Sequence, residues 1–380
     1  MFFVETDWKI WRNVMMKKLL LCLVLGIAAV CSAEDSAFRK GAAYLLARQG
    51  QDGSWGRHPA ITGLVCMALN GTHKDAVEKG RAYLLKHVQK DGSIWLAGRR
   101  REYPTYTTAI VLAALATMNR KEDETVMRNA RKWLLSLQNS DPESRNYGGF
   151  GYGPDPRGAA HVDLSNTQWV AEALYLTDHL DREPEAKSSG DTEKADLAWE
   201  KLGSFLSKVQ HLPETNKETW VVSDPNDPNY GGFIYRLDEN APHDMKTGLP
   251  QTLRSYGSMT YAGLKSMIYA RVGKDDPRVK AAAAWAARHY TVDENPGVGA
   301  NGLFYYLQTF AKANSALGED AVVTPDGKKH DWRADLKRKL SVSQQKDGSW
   351  SNEKSGRWME SMPELVTAYA LLSLRVAEQQ

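Results

Sequence analysis

Hydrophobic and polar positions follow two registers that alternate along this chain. In the first, apolar residues return every third or fourth position. Ala195, Ala198, Trp199, Leu202, Phe205, Leu206 and Val209 make one such stripe, the mark of a helix with one buried face. Val126, Ala130, Trp133, Leu134 and Leu137 make another, which puts Arg128, Arg131 and Lys132 on the wet side. In the second register no wet side remains. Residues 61–69, 108–116, 169–176 and 365–374 are apolar nearly all round, so the helices they form are enclosed on every side. Amphipathic helices alternating with enclosed ones predict an all-α, double-walled ring of about six outer–inner helix pairs.

A short motif recurs with the same alternation. Lys40-Gly41-Ala42-Ala43-Tyr44-Leu45 leads to Gln49 and then to Asp52-Gly53-Ser54-Trp55. Lys79-Gly80-Arg81-Ala82-Tyr83-Leu84 leads to Gln89 and Asp91-Gly92-Ser93. Gln138 precedes Tyr147-Gly148-Gly149-Phe150, and Gln210 precedes Tyr230-Gly231-Gly232-Phe233. Trp285 opens a degenerate copy ending in Gly302-Leu303-Phe304, and Gln344 with Asp347-Gly348-Ser349-Trp350 forms the last. Repetition at this scale indicates a helical array with loops of varying length on one face. In each copy Gln is expected to bond the last free carbonyls of its own outer helix. Asp-Gly makes a tight turn, and Trp is expected to stack over the Gln and tie neighbouring repeats together. Residues 181–194 read as a solvated linker. Residues 211–254, with Pro213, Pro225, Pro228, Pro242 and Pro250, read as a long loop, functional or disordered.

Composition narrows the function classes. A net charge of +3 over 380 residues gives no reason to expect nucleic acid or an anionic membrane surface. The first 33 residues read as an export leader. Lys17 and Lys18 precede an apolar run from Leu19 to Val30, too short to span a bilayer, and cleavage is expected after Ala33. Residues 1–14 suit a leader poorly, and translation is expected to start at Met15 or Met16. The expected product is a single domain over 34–380, secreted or periplasmic, without a transmembrane segment. Lipidation at Cys31 is the lesser alternative. Only Cys66 then remains in the mature chain, inside an apolar run. That excludes an internal disulfide or a multi-thiolate metal site, and Cys66 reads as a small core residue.

The motif resembles the QW repeat of squalene and hopene cyclases, and its Gly-Gly-Phe elements resemble those of protein prenyltransferase β subunits. The likeness runs over about residues 35–378. It is also similar to secreted bacterial members of that superfamily, and it implies an α/α toroid (α6/α6 barrel). Two activities dominate the resembling families. The cyclases protonate an alkene or epoxide with the middle acid of an Asp-x-Asp-Asp motif. The matching place here reads Asp163-Leu164-Ser165-Asn166, so Ser165 stands where the proton donor would be, and a serine hydroxyl cannot protonate an alkene. The prenyltransferases hold zinc through an Asp-x-Cys pair, which the mature chain lacks. No cofactor and no metal are therefore expected. Were zinc present, His161, Asp163 and the His243–Asp244 pair would be the places to look.

Candidate chemistry gathers where the enclosed helices begin. Asp163 and His161 precede one of them and form an acid or metal pair, or a helix cap, with Ser165-Asn166-Thr167-Gln168 as a capping box. Glu364 reads as part of another capping box with Ser361, and Glu360 as an exposed acid before a helix. Tyr152, Asn166, Trp169, Tyr256, Met259, Tyr261, Phe304 and Tyr305, with Glu360 and Glu364, are candidate cavity residues. Gln49, Asp52, Gly53, Trp55, Gln138, Gln210, Gln344, Asp347, Gly348 and Trp350 are structural. The reading these support is a toroid that binds a ligand (isoprenoid or lipid, peptide, or glycan) in or over its central cavity, without the family's acid or zinc chemistry. A cyclase-like enzyme using Asp163 and an extracellular polysaccharide lyase or hydrolase are the alternatives. A deep aromatic cavity favours isoprenoid. A shallow one with Arg, Tyr and paired carboxylates favours glycan.

Overall fold

The computed structural model describes residues 36–98, 102–238, 250 and 253–379. The leader expected over 1–33 and the His243–Asp244 pair lie outside the described residues.

Outer and inner helices alternate along the chain. The outer ones are α1 (Ser36–Arg48), α3 (Lys74–Leu85), α5 (Glu124–Ser136), α7 (Asp191–Lys208), α9 (Pro277–Arg288) and α11 (Trp332–Ser343). The inner ones are α2 (Pro59–Leu69), α4 (Pro104–Met118), α6 (Leu164–Leu176), α8 (Gly257–Tyr269), α10 (Leu303–Leu317) and α12 (Pro363–Glu378). Each inner helix packs on the next, and α12 packs on α2, so the inner wall closes into a ring. The outer helices bury one stripe each: Val279, Ala282, Trp285 and Ala286 in α9, for example. A two-residue β-hairpin, Val322–Val323 with Lys329–His330, is the only sheet among the described residues. No described helix is long and apolar enough to cross a membrane.

The repeat motif differs in part from its sequence reading. Trp does tie neighbouring repeats, Trp55 lying against Gly80 and Trp350 against Gly41, but it also takes the carbonyl expected to go to Gln. Trp55 Nε1 donates to Leu45 O at 2.6 Å, and Trp350 Nε1 to Leu340 O at 2.9 Å. Both carbonyls lie in the last turn of the Trp's own outer helix, where no intrahelical partner is available. The Gln instead reaches the neighbouring repeat. Gln49 Nε2 donates to Gly53 O and to Ala76 O in α3, at 3.0 and 2.9 Å. Gln138 does the same to Gly148 and Ala198, and Gln210 to Gly231 and Arg278. Gln344 bonds Gly348 O and Ala37 O, both at 2.8 Å, and so fastens the last repeat to the first. The turn glycine is required twice over. Gly348 has φ +89°, and a Cβ there would meet Lys40 O of α1 at 2.5 Å.

A further repeat element escaped the sequence reading. Thr62, Thr108, Thr167, Thr260 and Thr367, one on each of five inner helices, accept a backbone N–H from the turn before, at 2.9–3.1 Å.

Three expectations need correction. Arg131 is not on a wet face. It is buried, ion-paired to Asp181, and donates to Leu174 O at 2.7 Å. Its partner makes the segment 181–194 part of the wall rather than a solvated linker, with a short helix at Pro184–Ser188 and the start of α7 at Asp191. The long segment after α7 is likewise anchored over its described part. His211 donates from Nε2 to Leu253 O at 2.6 Å and accepts from Val222 N, while Asn229 accepts from Ser255 N at 2.8 Å. These bonds hold Tyr235 over the N-terminus of α6, where its carbonyl accepts from Leu164 N.

Candidate functional site

The inner helices begin at one end of the ring, and their first turns bring a group of tyrosines around Asp163. Asp163 is the N-cap of α6: Oδ1 accepts from Asn166 N at 2.8 Å, and Oδ2 from Asn166 Nδ2 at 2.9 Å. Tyr235 donates to the same Oδ2 at 3.1 Å, and its hydroxyl lies 2.6 Å from that of Tyr152. Tyr152 in turn faces the exposed ring of Tyr103, with centroids 5.0 Å apart. A line of hydroxyls thus runs from the rim to a buried carboxyl. Burial raises Asp163 to about 6, against the hydrogen bonds from Asn166 and Tyr235 that lower it. The cap alone would favour the charged form; burial is the larger effect.

The floor beneath them is also polar. Tyr305 hydroxyl meets Ser165 Oγ and accepts from Gln168 Nε2, both at 3.0 Å. Tyr106 hydroxyl accepts from Trp169 Nε1 at 2.9 Å. Ser165 is therefore a floor residue within α6 and not the start of a capping box. Deeper along the axis, Gln168 Oε1 accepts from Lys265 Nζ at 2.6 Å, and Lys265 also donates to Glu172 at 2.5 Å. Lys312 donates to the other oxygen of Glu172. Both ammoniums lie against the Trp169 ring, at 5.5 and 4.8 Å from its centroid. Burial opposes the charge on Glu172, but Lys265 and Lys312 outweigh it and hold the carboxyl down to about 2. Burial lowers Lys265 to about 8, with Glu172 pulling the other way.

Glu360 is the second displaced carboxyl. Expected to be exposed, it is fully buried. Helix α10 begins after Gly302, which has no side chain to cap with. Glu360 Oε1 accepts from Tyr305 N at 2.8 Å, and Oε2 from Asn352 Nδ2 at 2.7 Å. Burial raises it to about 7 in spite of these bonds. The two residues before it, Trp358 and Met359, are exposed and hold positive φ of 57° and 66°. Non-glycine backbone of this kind marks a place where structure is held under strain.

The remaining candidates separate. His161 is exposed on the rim, 3.3 Å from Arg236. Tyr256 is the N-cap residue of α8, buried near enough to Asp163 for that charge, after burial itself, to help push its hydroxyl up. Met259 is core. Tyr261 is not a cavity residue: it packs edge-on against Tyr306 and Phe310, in the cluster that joins Trp332 of the outer wall. Phe304 lines a side groove of about 960 Å³ with Lys339 and Val342 of α11 instead of the axis. Glu364 is half-buried and acts on Tyr44 of the outer wall; Met362, not Ser361, is the N-cap of α12 and makes no side-chain cap. As site residues, sequence reasoning missed Tyr106, Tyr235, Gln168, Glu172, Lys265 and Lys312. For Glu172 and Lys265 the signal was present, as lone charges inside helices otherwise without a polar face.

Comparison with known proteins agrees with this architecture. Residues 61–190 match the family model of the squalene-hopene cyclase C-terminal domain. No curated protein matches the chain in sequence. Among solved structures, the type II terpene cyclase MstE from Scytonema aligns with a TM-score of 0.52 at 14% identity, over 90% of this chain and 98% of that one. A variant of it in complex with geranylgeranyl dihydroxybenzoate aligns at 0.53 and 15%, over 90% and 97%. The GH76A α-1,6-mannanase from Salegentibacter sp. HEL1_6 aligns at 0.58 and 11%, over 90% and 99%. The chain is thus an α/α toroid similar to the terpenoid cyclase superfamily, in sequence over residues 61–190 and in fold over nine-tenths of its length.

Proposed function

We propose that the protein binds a glycan over the tyrosine-lined end of its ring and does not cyclise isoprenoids. The observation that carries this reading is the polar column on the axis: Tyr305, Gln168, Lys265, Glu172 and Lys312. A polyisoprene chain laid along it would gain little from the hydrophobic effect, and would bury charges away from water. The rim instead offers Tyr103, Tyr152, Tyr235 and Arg236 beside the carboxyl of Asp163. Such rings present an apolar face to sugar carbons and a hydroxyl to sugar oxygens. The α-1,6-mannanase with the same fold supports the ligand class. Export by the leader over residues 1–33 is part of the reading, since glycans of this kind lie outside the cytoplasm.

Affinity electrophoresis through gels containing α-1,6-mannan or other neutral and acidic polysaccharides tests it. At least one should retard the protein, and Tyr152→Ala should abolish the retardation. Stoichiometric uptake of squalene or geranylgeraniol, with no glycan response, would overturn the proposal. Asp163 favours one second reading. A carboxyl near 6, linked through Tyr235 and Tyr152 to the rim, is placed for general acid–base work on a bound sugar. Release of reducing ends by the wild type but not by Asp163→Asn would establish it.

A further inference from the structure

The ion cluster on the axis is not balanced in charge. Lys265 and Lys312 both bond Glu172, and among the described residues Glu172 is the one carboxylate they bond. Two cations and one anion leave an excess positive charge inside the ring wall. The two cations are not equivalent. Lys265 is wholly enclosed, has Gln168 as a second acceptor, and faces the rings of Trp169 and Tyr269. Lys312 has no second acceptor among the described residues, and its side chain stays 12% exposed where that of Lys265 is at 0%. Lys312 is therefore the cation of the pair that solvent touches.

A second feature meets it there. Gln308 lies one turn before Lys312 on α10, on the same face of the helix. It is completely buried, yet neither its amide nitrogen nor its amide oxygen has a partner among the described residues. A buried amide left in this condition is destabilising, and native structures rarely tolerate one without water or an ion beside it. The layer above is already satisfied, since Tyr305 is occupied by Ser165 and Gln168. The donors left over in this cluster, among the described residues, are therefore the Lys312 ammonium and the Gln308 amide, one turn apart on one helix face.

We propose that Lys312 and Gln308 form a site for a monovalent carboxylate, with Lys265 and Glu172 as its fixed backing. One negative charge would neutralise the cluster. Its two oxygens would accept from Lys312 Nζ and Gln308 Nε2, charge-assisted hydrogen bonds of the stronger kind. A divalent oxyanion such as phosphate would overshoot the balance. The site is independent of the rim and does not rest on what the rim binds.

Acetate is the probe, with formate, chloride and phosphate as comparisons, all as sodium salts at one ionic strength and one pH. The melting temperature of the full chain should rise with acetate and then saturate. Formate should act similarly, and chloride and phosphate at least tenfold more weakly. Lys312→Met leaves Glu172 paired one-to-one with Lys265, so it should fold, and it should lose the response. Gln308→Leu should weaken apparent acetate affinity about tenfold without removing it. Lys132→Met, on the outer wall, should respond as the wild type does. An acetate response that never saturates, or that survives unchanged in both Lys312→Met and Gln308→Leu, would overturn the proposal. So would an equal response to all four anions, since water or bulk salt would then suffice.

Discussion

The junction between the last and first repeats and the fifth repeat, α9 with α10, are built from the same plan and have diverged. At the junction the motif is intact: Gln344 crosses to Ala37, Gly348 lies against Lys40, and Trp350 caps its own helix. In the fifth repeat none of this survives. Asn295 takes over the turn, bonding Ser258 N and Asn301 O, and Gly302 leaves α10 uncapped until Glu360 arrives from the next loop. Yet this repeat supplies Tyr305, Gln308 and Lys312. Intact repeats hold the ring closed with groups already committed to backbone. The degenerate one has its side chains free for the axis, and borrows its cap from a neighbour. Ring closure and axial chemistry are therefore carried by different residues, although Asp163, Gln168, Glu172 and Lys265 sit on or at the start of the inner helices of intact repeats, and variants should separate them.

The largest effect belongs at the junction. Trp350 is fully buried, and Trp350→Ala should cost about 3–5 kcal/mol, read as a fall in the urea midpoint, while glycan retention measured below the transition stays unchanged. Gln344→Ala should cost about 1–3 kcal/mol, because Ala37 O and Gly348 O lose their donor. If either variant abolished binding in the folded protein, the separation would be wrong.

Variants at the site should move pH dependence more than stability. Glu360 stands at about 7 instead of 4.5, and Asp163 at about 6 instead of 3.8. A carboxyl raised on folding stabilises the fold while protonated, so the contribution is present below its ordinary value and lost as pH rises through the folded one. Stability should therefore fall between about pH 4 and 7 through these two groups. Glu360→Gln should flatten that fall in pH-resolved unfolding. Glu172, held down to about 2, acts in the opposite sense, and its contribution disappears only as pH drops from 4.5 toward 2. The smallest effect is Asp163→Asn. Asn is also an effective N-cap, so less than about 1 kcal/mol should be lost, whereas the bond from Tyr235 loses a charged acceptor and glycan retention should weaken.

Much of the ring could be read from the chain and much of the axis could not, for a physical reason. Wall residues obey a period: Trp199, Leu202, Phe205 and Leu206 return at helical spacing because one face of α7 is buried. The Gln–Gly–Trp turn repeats because the same backbone junction repeats. Axial residues obey no period. Lys265, Glu172 and Lys312 come from three helices and meet only when the ring closes, so each looks like a lone charge in its own segment. Asp163 was legible as a cap but not as a carboxyl raised by burial, since its enclosure by Tyr235 depends on the segment after α7. Glu360 was misread for a similar cause: the helix it caps is not the one it precedes.

The bond from Gln344 to Ala37 also sets an order of events. It joins residues 307 apart, as does the bond from Arg375 to Ala68 O. The other glutamine clamps span 27, 60 and 68 residues. In loop entropy alone the difference is modest, roughly 1.3–2 kcal/mol. In time it is large. At a synthesis rate of about 5–20 residues per second, α12 leaves the ribosome on the order of tens of seconds after α2. Until then α2 has a partner on one side only, and its apolar surface waits open at what will become the junction. A nascent chain of this design is a candidate for holding by chaperones over that whole interval, and release should coincide with the arrival of the final helix.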